Sequence, residues 1–161
     1  MGMSIRTDGM EDLNRILASL NEKARDVAAG SLYEGAAIVG DAFTAAVNSI
    51  QTEPYTGPKE NRKPSPEEKQ ALIGRTGIAR FKVTGDDVDT LIGVTEAAGY
   101  AYIGRTKKAV RLIARAVNSG TSFMKKQPVF RRAVTVSQGA ARAAIVNKAE
   151  KMLDEIINGS G

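Results

Sequence analysis

The N-terminal part of the chain carries apolar residues at the spacing that places them on one face of an α-helix. Between residues 10 and 29 they are Leu13, Ile16, Leu17, Leu20, Ala24 and Val27. Residues 32–50 carry a similar stripe, formed by Tyr33, Ala36, Gly40, Phe43, Val47 and Ile50. The pattern predicts two helices, with Gly30-Ser31 breaking or kinking the chain between them.

The last quarter of the chain predicts a long helix, which Pro128 opens and which runs to about residue 157. Its apolar stripe is Phe130, Val134, Ala141, Ile145, Ala149, Met152 and Ile156. This helix and the helix at 32–50 both carry many small residues, around Ala144 and Gly40 respectively. Because small side chains let helix backbones approach closely, we expect these two faces to pack against each other.

Residues 51–77 contain four of the five prolines and show no hydrophobic period up to Pro64. This composition predicts a long loop, and such loops are usually functional or disordered. We expect residues 51–72 to become ordered only against a neighbouring molecule. Within the segment, Ser65-Pro66-Glu67-Glu68 has the pattern of a capping box and predicts a short helix to about Leu72.

Residues 78–103 have the pattern of short strands. A β-hairpin is predicted with arms at residues 78–83 and 88–94 and a turn at 84–87, followed by a strand at 100–103. Together these elements predict a single α+β domain over residues 1–161. A small antiparallel β-sheet would pack with long N-terminal helices and a C-terminal helix.

Residues 107–118 predict an amphipathic helix that ends at Gly120. One side is apolar, with Val110, Ile113 and Val117. The opposite side is basic and forms a candidate protein interface or DNA-channel surface, made of Lys108, Arg111 and Arg115.

Charge is distributed unevenly along the chain. Residues 1–99 carry 11 basic and 15 acidic side chains, a net charge of −4, whereas residues 100–161 carry 12 basic and 3 acidic side chains, a net charge of +9. The asymmetry favours a basic face that meets an acidic partner, or a subunit whose halves meet complementary neighbours. A solvated face without a partner explains it equally well at this point.

The chain has no histidine and no cysteine. The usual general base near neutral pH and the commonest transition-metal ligand are therefore missing, and so are thiolate chemistry and disulfides. Only an enzyme that uses carboxylates or lysines remains possible, and no pocket signature points to one. We expect no enzymatic activity, no cofactor and no metal site. No stretch approaches the roughly 18–20 apolar residues of a membrane span.

Three local clusters have plain interpretations. Asp86, Asp87 and Asp89 lack the spacing of a calcium loop, so we interpret them as turn acids in water. Residues 74–77 and 104–107 lack the pattern of a phosphate-binding loop and are interpreted as turns.

Residues 113–124 and 127–133 carry a family resemblance. A helix ends in Gly120-Thr121, a short linker contains Met124, and Pro128 and Phe130 open a long C-terminal helix. This order resembles that of the tail-completion, or head–tail joining, proteins of long-tailed, lambda-like bacteriophages. The opening at residues 8–13 and the Thr76-Gly77 step before the hairpin are also similar to that family, with Thr56-Gly57 as a competing match. Asn118-Ser119 stands where the family often has an acidic residue.

The resemblance implies a structural role in the virion neck. Copies would form a homo-oligomeric ring, a hexamer or dodecamer, between the portal or connector side of the head and the tail tube or its terminator. Genomic double-stranded DNA would pass through without sequence-specific binding. The protein would lie in the virion, and in the host cytoplasm during assembly. Gly120, Thr121, Pro128 and Phe130 would form a rigid corner, with positive φ at Gly120. The alternative is a basic nucleic-acid-binding accessory protein.

Overall fold

A computed structural model describes residues 8–78, 80, 82–84, 87–94 and 96–159, with the backbone alone for residues 8–20, 83, 87, 89 and 96. The elements in chain order are α1 Asp8–Asn48, α2 Pro66–Leu72, β1 Gly77–Ile78, β2 Lys82–Thr84, β3 Asp87–Asp89, β4 Ile92–Gly93, a 3-10 turn Glu96–Ala98, β5 Tyr100–Ile103, β6 Thr106–Ala109, α3 Val110–Ser119 and α4 Val129–Asn158. Two long helices and short antiparallel strand pairs confirm the α+β class.

Helix α1 is continuous through Gly30-Ser31, so the prediction of a break at this step is wrong. The Ser31 hydroxyl is buried and donates to the Val27 carbonyl one turn earlier, at 2.5 Å. The hydroxyl is thus satisfied inside the helix. Helix α4 packs along α1, and such tertiary contact stabilises a helix more than the low propensity of one glycine destabilises it.

The two long helices meet at small residues, as predicted, but at a different glycine. A Cβ atom placed on Gly35 would lie 2.5 Å from Ile145 Cγ1 and 3.1 Å from the Ala141 carbonyl oxygen. A Cβ atom on Gly40 would meet nothing within 4 Å, so the predicted pairing through Gly40 is wrong. The contact lies almost one and a half turns earlier on α1 because α4 approaches α1 along the face that bears Gly35.

The strands form three two-stranded antiparallel pairs within the described residues, β1 with β4, β2 with β3, and β5 with β6. The first two pairs make up the predicted hairpin, in which Thr84 faces Asp87; Phe81, Gly85 and Asp86 lie outside the described residues. Strand β5 confirms the strand predicted at 100–103. Its partner β6 is not predicted, because residues 107–109 continue the apolar spacing of the following helix.

The core lies where the C-terminal end of α1, helix α3 and the N-terminal end of α4 meet beneath the strands. Its buried members include Phe43, Val47, Ile50, Leu72, Val110, Ile113, Val117, Met124, Val129 and Ala133. Phe43 and Phe130 pack edge to face with ring centres 5.4 Å apart. On α4 the buried positions are Val129, Ala133, Ser137 and Ala141, whereas Val134 of the predicted stripe is exposed.

Candidate assembly surface

The corner between α3 and α4 begins at Gly120, the C-cap of α3. Gly120 has φ 76° and ψ 169°, which confirms the predicted positive φ. This region of backbone space is essentially restricted to glycine. A Cβ atom here would lie 3.1 Å from Lys126 Cβ and 3.2 Å from the Met124 carbonyl oxygen. Conformation and space together therefore require glycine at this position.

The linker after Gly120 is held by Thr121. Its hydroxyl oxygen accepts hydrogen bonds from the amides of Phe123 and Met124 at 3.2 and 3.0 Å, and its own amide donates to the Met124 carbonyl at 2.9 Å. Met124 is buried in the core. Pro128 is the N-cap of α4, so the helix begins at Val129, one residue after the predicted start. The corner is therefore held by Gly120 and Thr121 at the end of α3 and by Pro128 at the start of α4.

The proline-rich segment is tied to this corner by its own chain. The Arg62 amide donates to the Phe123 carbonyl at 3.0 Å, and the Lys125 amide donates to the Arg62 carbonyl at 2.8 Å. The side-chain amide of Gln127 pairs with both backbone groups of Gln51, at 3.0 and 2.8 Å. The sequence predicts that residues 51–72 order only against a neighbouring molecule. In the structure, the groups that anchor these residues come from the same molecule.

A buried carboxylate ties the loop part of the segment to its short helix. Glu68 is 2% exposed, and its two oxygens accept from the two terminal nitrogens of Arg62 at 2.7 and 2.8 Å. The Ser65 amide donates to it at 2.9 Å, which completes the predicted capping box. Burial raises the pKa of the Glu68 carboxyl, but the Arg62 and Ser65 hydrogen bonds and the charges of Arg62 and Lys108 lower that pKa below its ordinary value. Glu68 is therefore ionised at neutral pH.

Exposed apolar side chains share a cleft with this cluster. Phe123 of the linker is 61% exposed, Leu112 of α3 is 55% exposed and Tyr100 of β5 is 62% exposed. They line one cleft together with Lys107 and Arg111, and the Arg62–Glu68 pair forms part of its wall. We call the surface formed by Tyr100, Lys107, Arg111, Leu112 and Phe123 the corner groove. An apolar strip with a cationic rim is typical of a surface that binds another macromolecule.

The three predicted basic residues do not lie on one helix face. Lys108 lies on β6, where it pairs with Ala101, and its Nζ is 3.5 Å from Glu68 Oε1, so the helical assignment is wrong. Arg111 lies on α3 at the rim of the corner groove. Arg115 is exposed on the same helix but does not line the groove. The structure thus brings Lys108 and Arg111 together and leaves Arg115 apart.

The corner groove itself was not predicted from the sequence. Leu112 lies opposite the buried side of α3, so its exposure could have been predicted from the helical spacing. Phe123 and Tyr100 gave no such signal, because their exposure depends on how the linker and β5 meet.

In the described part of the chain, no group of three or more acidic side chains could hold a metal ion. The side chains of Asp86, Asp87 and Asp89 lie outside the described residues. No helix among the described residues is long and apolar enough to cross a membrane.

Comparison with known proteins gives no relative: no family model, no curated protein and no solved structure matches the chain.

Proposed function

We propose that the protein is a structural subunit of a bacteriophage neck, which assembles with copies of itself into a ring that joins the head to the tail. The proposal includes no enzymatic activity. Genomic DNA would pass through the ring without being recognised by its sequence. Neighbouring neck proteins would bind the ring on its head side and its tail side.

One observation carries the proposal beyond the resemblance. The segment that resembles the neck proteins, residues 113–133, contains the corner that exposes Phe123, and Phe123 lines one cleft with Leu112 of the preceding helix. Fixing two large apolar side chains at the surface is unfavourable for a chain that stays alone in water, and it favours association that buries them. A corner held by Gly120 and Thr121 loses little conformational entropy when it binds, because it is already ordered.

The exposed cations at the corner bear on the alternative, a nucleic-acid-binding accessory protein. Arg111, Arg115 and the nearby Lys125, Lys126, Arg131 and Arg132 could contact phosphates. A ring subunit and a DNA-binding monomer differ in how strongly salt weakens their binding. Phosphate binding falls steeply with salt, whereas assembly through apolar contact falls only partly.

Mass measurement of the purified protein over a range of concentrations, with electron microscopy of the same samples, tests the proposal. We expect closed rings with a central opening, alone or after addition of candidate neck proteins. A protein that stays monomeric in all mixtures and binds DNA with a steep salt dependence would contradict the proposal and support the alternative.

The double variant Arg111→Glu with Arg115→Glu separates the roles of the basic side chains. If they meet acidic groups of the next copy, assembly weakens modestly, because exposed ion pairs contribute only about 0–1 kcal/mol each. If they face the DNA channel, rings still form and DNA retention or ejection changes. If neither assembly nor infectivity changes, these side chains are only solvated.

A further inference from the structure

The C-terminal half of α4 exposes an amphipathic face. Val146, Leu153 and Ile157 are exposed apolar residues, and Glu150 and Asp154 are exposed acids beside them. Their spacing of four, seven, eight and eleven residues from Val146 places all five on one side of the helix. Glu150, Asp154 and Glu155 are also the only acids of residues 100–161.

The opposite side of the same helix end is occupied by α1. A Cβ atom on Gly30 would lie 3.0 Å from Met152 Sδ, and Lys148 forms an ion pair with Glu34 at 3.8 Å. The face with Val146, Leu153 and Ile157 therefore points away from the α1–α4 contact.

The corner groove has the complementary character. Its exposed Tyr100, Leu112 and Phe123 provide apolar contact, and Lys107 and Arg111 provide positive charge. Lys107 Nζ lies 4.8 Å from the centre of the Tyr100 ring, so this cation is held at the apolar strip. The negative end of a helix dipole is likewise attracted to cations, and the C-terminus of α4 is such an end.

We infer that the C-terminal end of α4 of one copy binds in the corner groove of the next copy. This inference rests on the proposed ring function and specifies its contact. The same chain cannot make the contact, because α4 begins beside the corner at Val129 and a continuous helix places Leu153 about 36 Å away from it. The groove lies beside the start of α4 and the other surface lies at its end, so the contact is heterologous, or head-to-tail. Such a contact forms a ring when the rotation between neighbouring copies closes, as the proposed function requires.

The contact is an amphipathic helix in a groove, in which apolar side chains supply most of the affinity and charges supply orientation. Arg111 and Lys107 would face Glu150 and Asp154 of the next copy. Because the two surfaces differ, each copy would use both of them, one toward each neighbour.

The absence of cysteine from the sequence makes a direct test simple. Leu112→Cys protein and Leu153→Cys protein are mixed and oxidised, and the covalent dimers are mapped. We expect a bond between positions 112 and 153 of different molecules, and a ladder of higher species from the double variant. The matched control is Leu112→Cys with Val136→Cys, an exposed position nearer the start of α4, which should give no such ladder.

A charge exchange provides a second readout. Arg111→Glu alone and Asp154→Arg alone should each weaken self-association by up to about fivefold, and their combination should recover part of the loss. Bonds only between two copies of position 153, or rings that form without any 112–153 bond, would overturn the inference and leave the ring function standing. Failure of the wild-type protein to form any oligomer would overturn both.

Discussion

The carboxylate of Glu68 lies between two cations that reach it from different parts of the chain, and its pairing with Arg62 is bidentate, at 2.7 and 2.8 Å. Arg62 lies in the loop part of the proline-rich segment, whereas Glu68 lies in the first turn of its short helix α2, which contacts α3 and β5. The backbone of Arg62 also pairs with the linker at Phe123 and Lys125. By pairing with Arg62, Glu68 thus stabilises the loop that supports the corner groove.

This pair predicts a loss of stability in acid. The folded-state pKa of Glu68 is lowered, so its stabilising contribution is complete above the ordinary glutamate pKa and is lost as the pH falls through the lowered value. Glu68→Gln should reduce the free energy of unfolding at neutral pH by about 2 kcal/mol, since the hydrogen bonds to a charged partner weaken. Denaturant unfolding at several pH values between neutrality and about pH 3 measures both effects.

The matched control is Glu60→Gln, an exposed glutamate of the same segment. It should leave the free energy of unfolding and its pH dependence close to wild type. An acid profile of Glu68→Gln that matches wild type would show that Arg62 and Glu68 do not couple in solution.

Gly120→Ala should destabilise the protein by about 1–3 kcal/mol, because alanine is strained at this backbone conformation and its Cβ meets Lys126 and the Met124 carbonyl. Gly139→Ala is the control in the middle of α4, where a Cβ meets nothing within 4 Å and alanine should stabilise the helix by about 0.4–1 kcal/mol. Thermal unfolding of both variants gives the comparison. Equal effects of the two substitutions would contradict the account of the corner.

Gly35→Ala tests the contact between the long helices. Its Cβ would force Ile145 and the Ala141 carbonyl to move, at a cost typical of overpacking, about 1–3 kcal/mol. Gly40→Ala adds the same methyl group to open space on the same helix and should be neutral or stabilising. The urea midpoints of unfolding of the two variants test this prediction. A larger decrease for Gly40→Ala than for Gly35→Ala would show that the helices meet at Gly40, as the sequence pattern predicts.

Local patterns predicted much of the fold. The buried side of α3, the capping box at Ser65 and Glu68 and the positive φ of Gly120 all follow from spacing and cap chemistry within a few residues. Strand β6 could not be predicted in this way, because residues 107–109 continue a helical pattern. They become a strand only by pairing with β5. The continuity of α1 through Gly30 likewise depends on packing against α4.

The candidate surface was less predictable because distant parts of the chain build it. Lys108 meets Glu68 across 40 residues, and Gln127 pairs with Gln51 across 76 residues. Leu112 and Phe123 become neighbours on one cleft only after the corner folds. Single-sequence patterns carry no information on such pairs, so the sequence indicated a basic helix where the structure has an apolar groove with a basic rim.

The proposed neck role implies that a phage genome encodes this chain, and electron microscopy of lysates of that phage tests the role most directly. The reading frame is deleted and supplied in trans as wild type, as Phe123→Asp or as a Gly139→Ala control. Deletion should leave DNA-filled heads and complete tails unjoined; wild type and Gly139→Ala should restore joined particles, and Phe123→Asp should not. Normal numbers of joined, infectious particles without the protein would contradict the account.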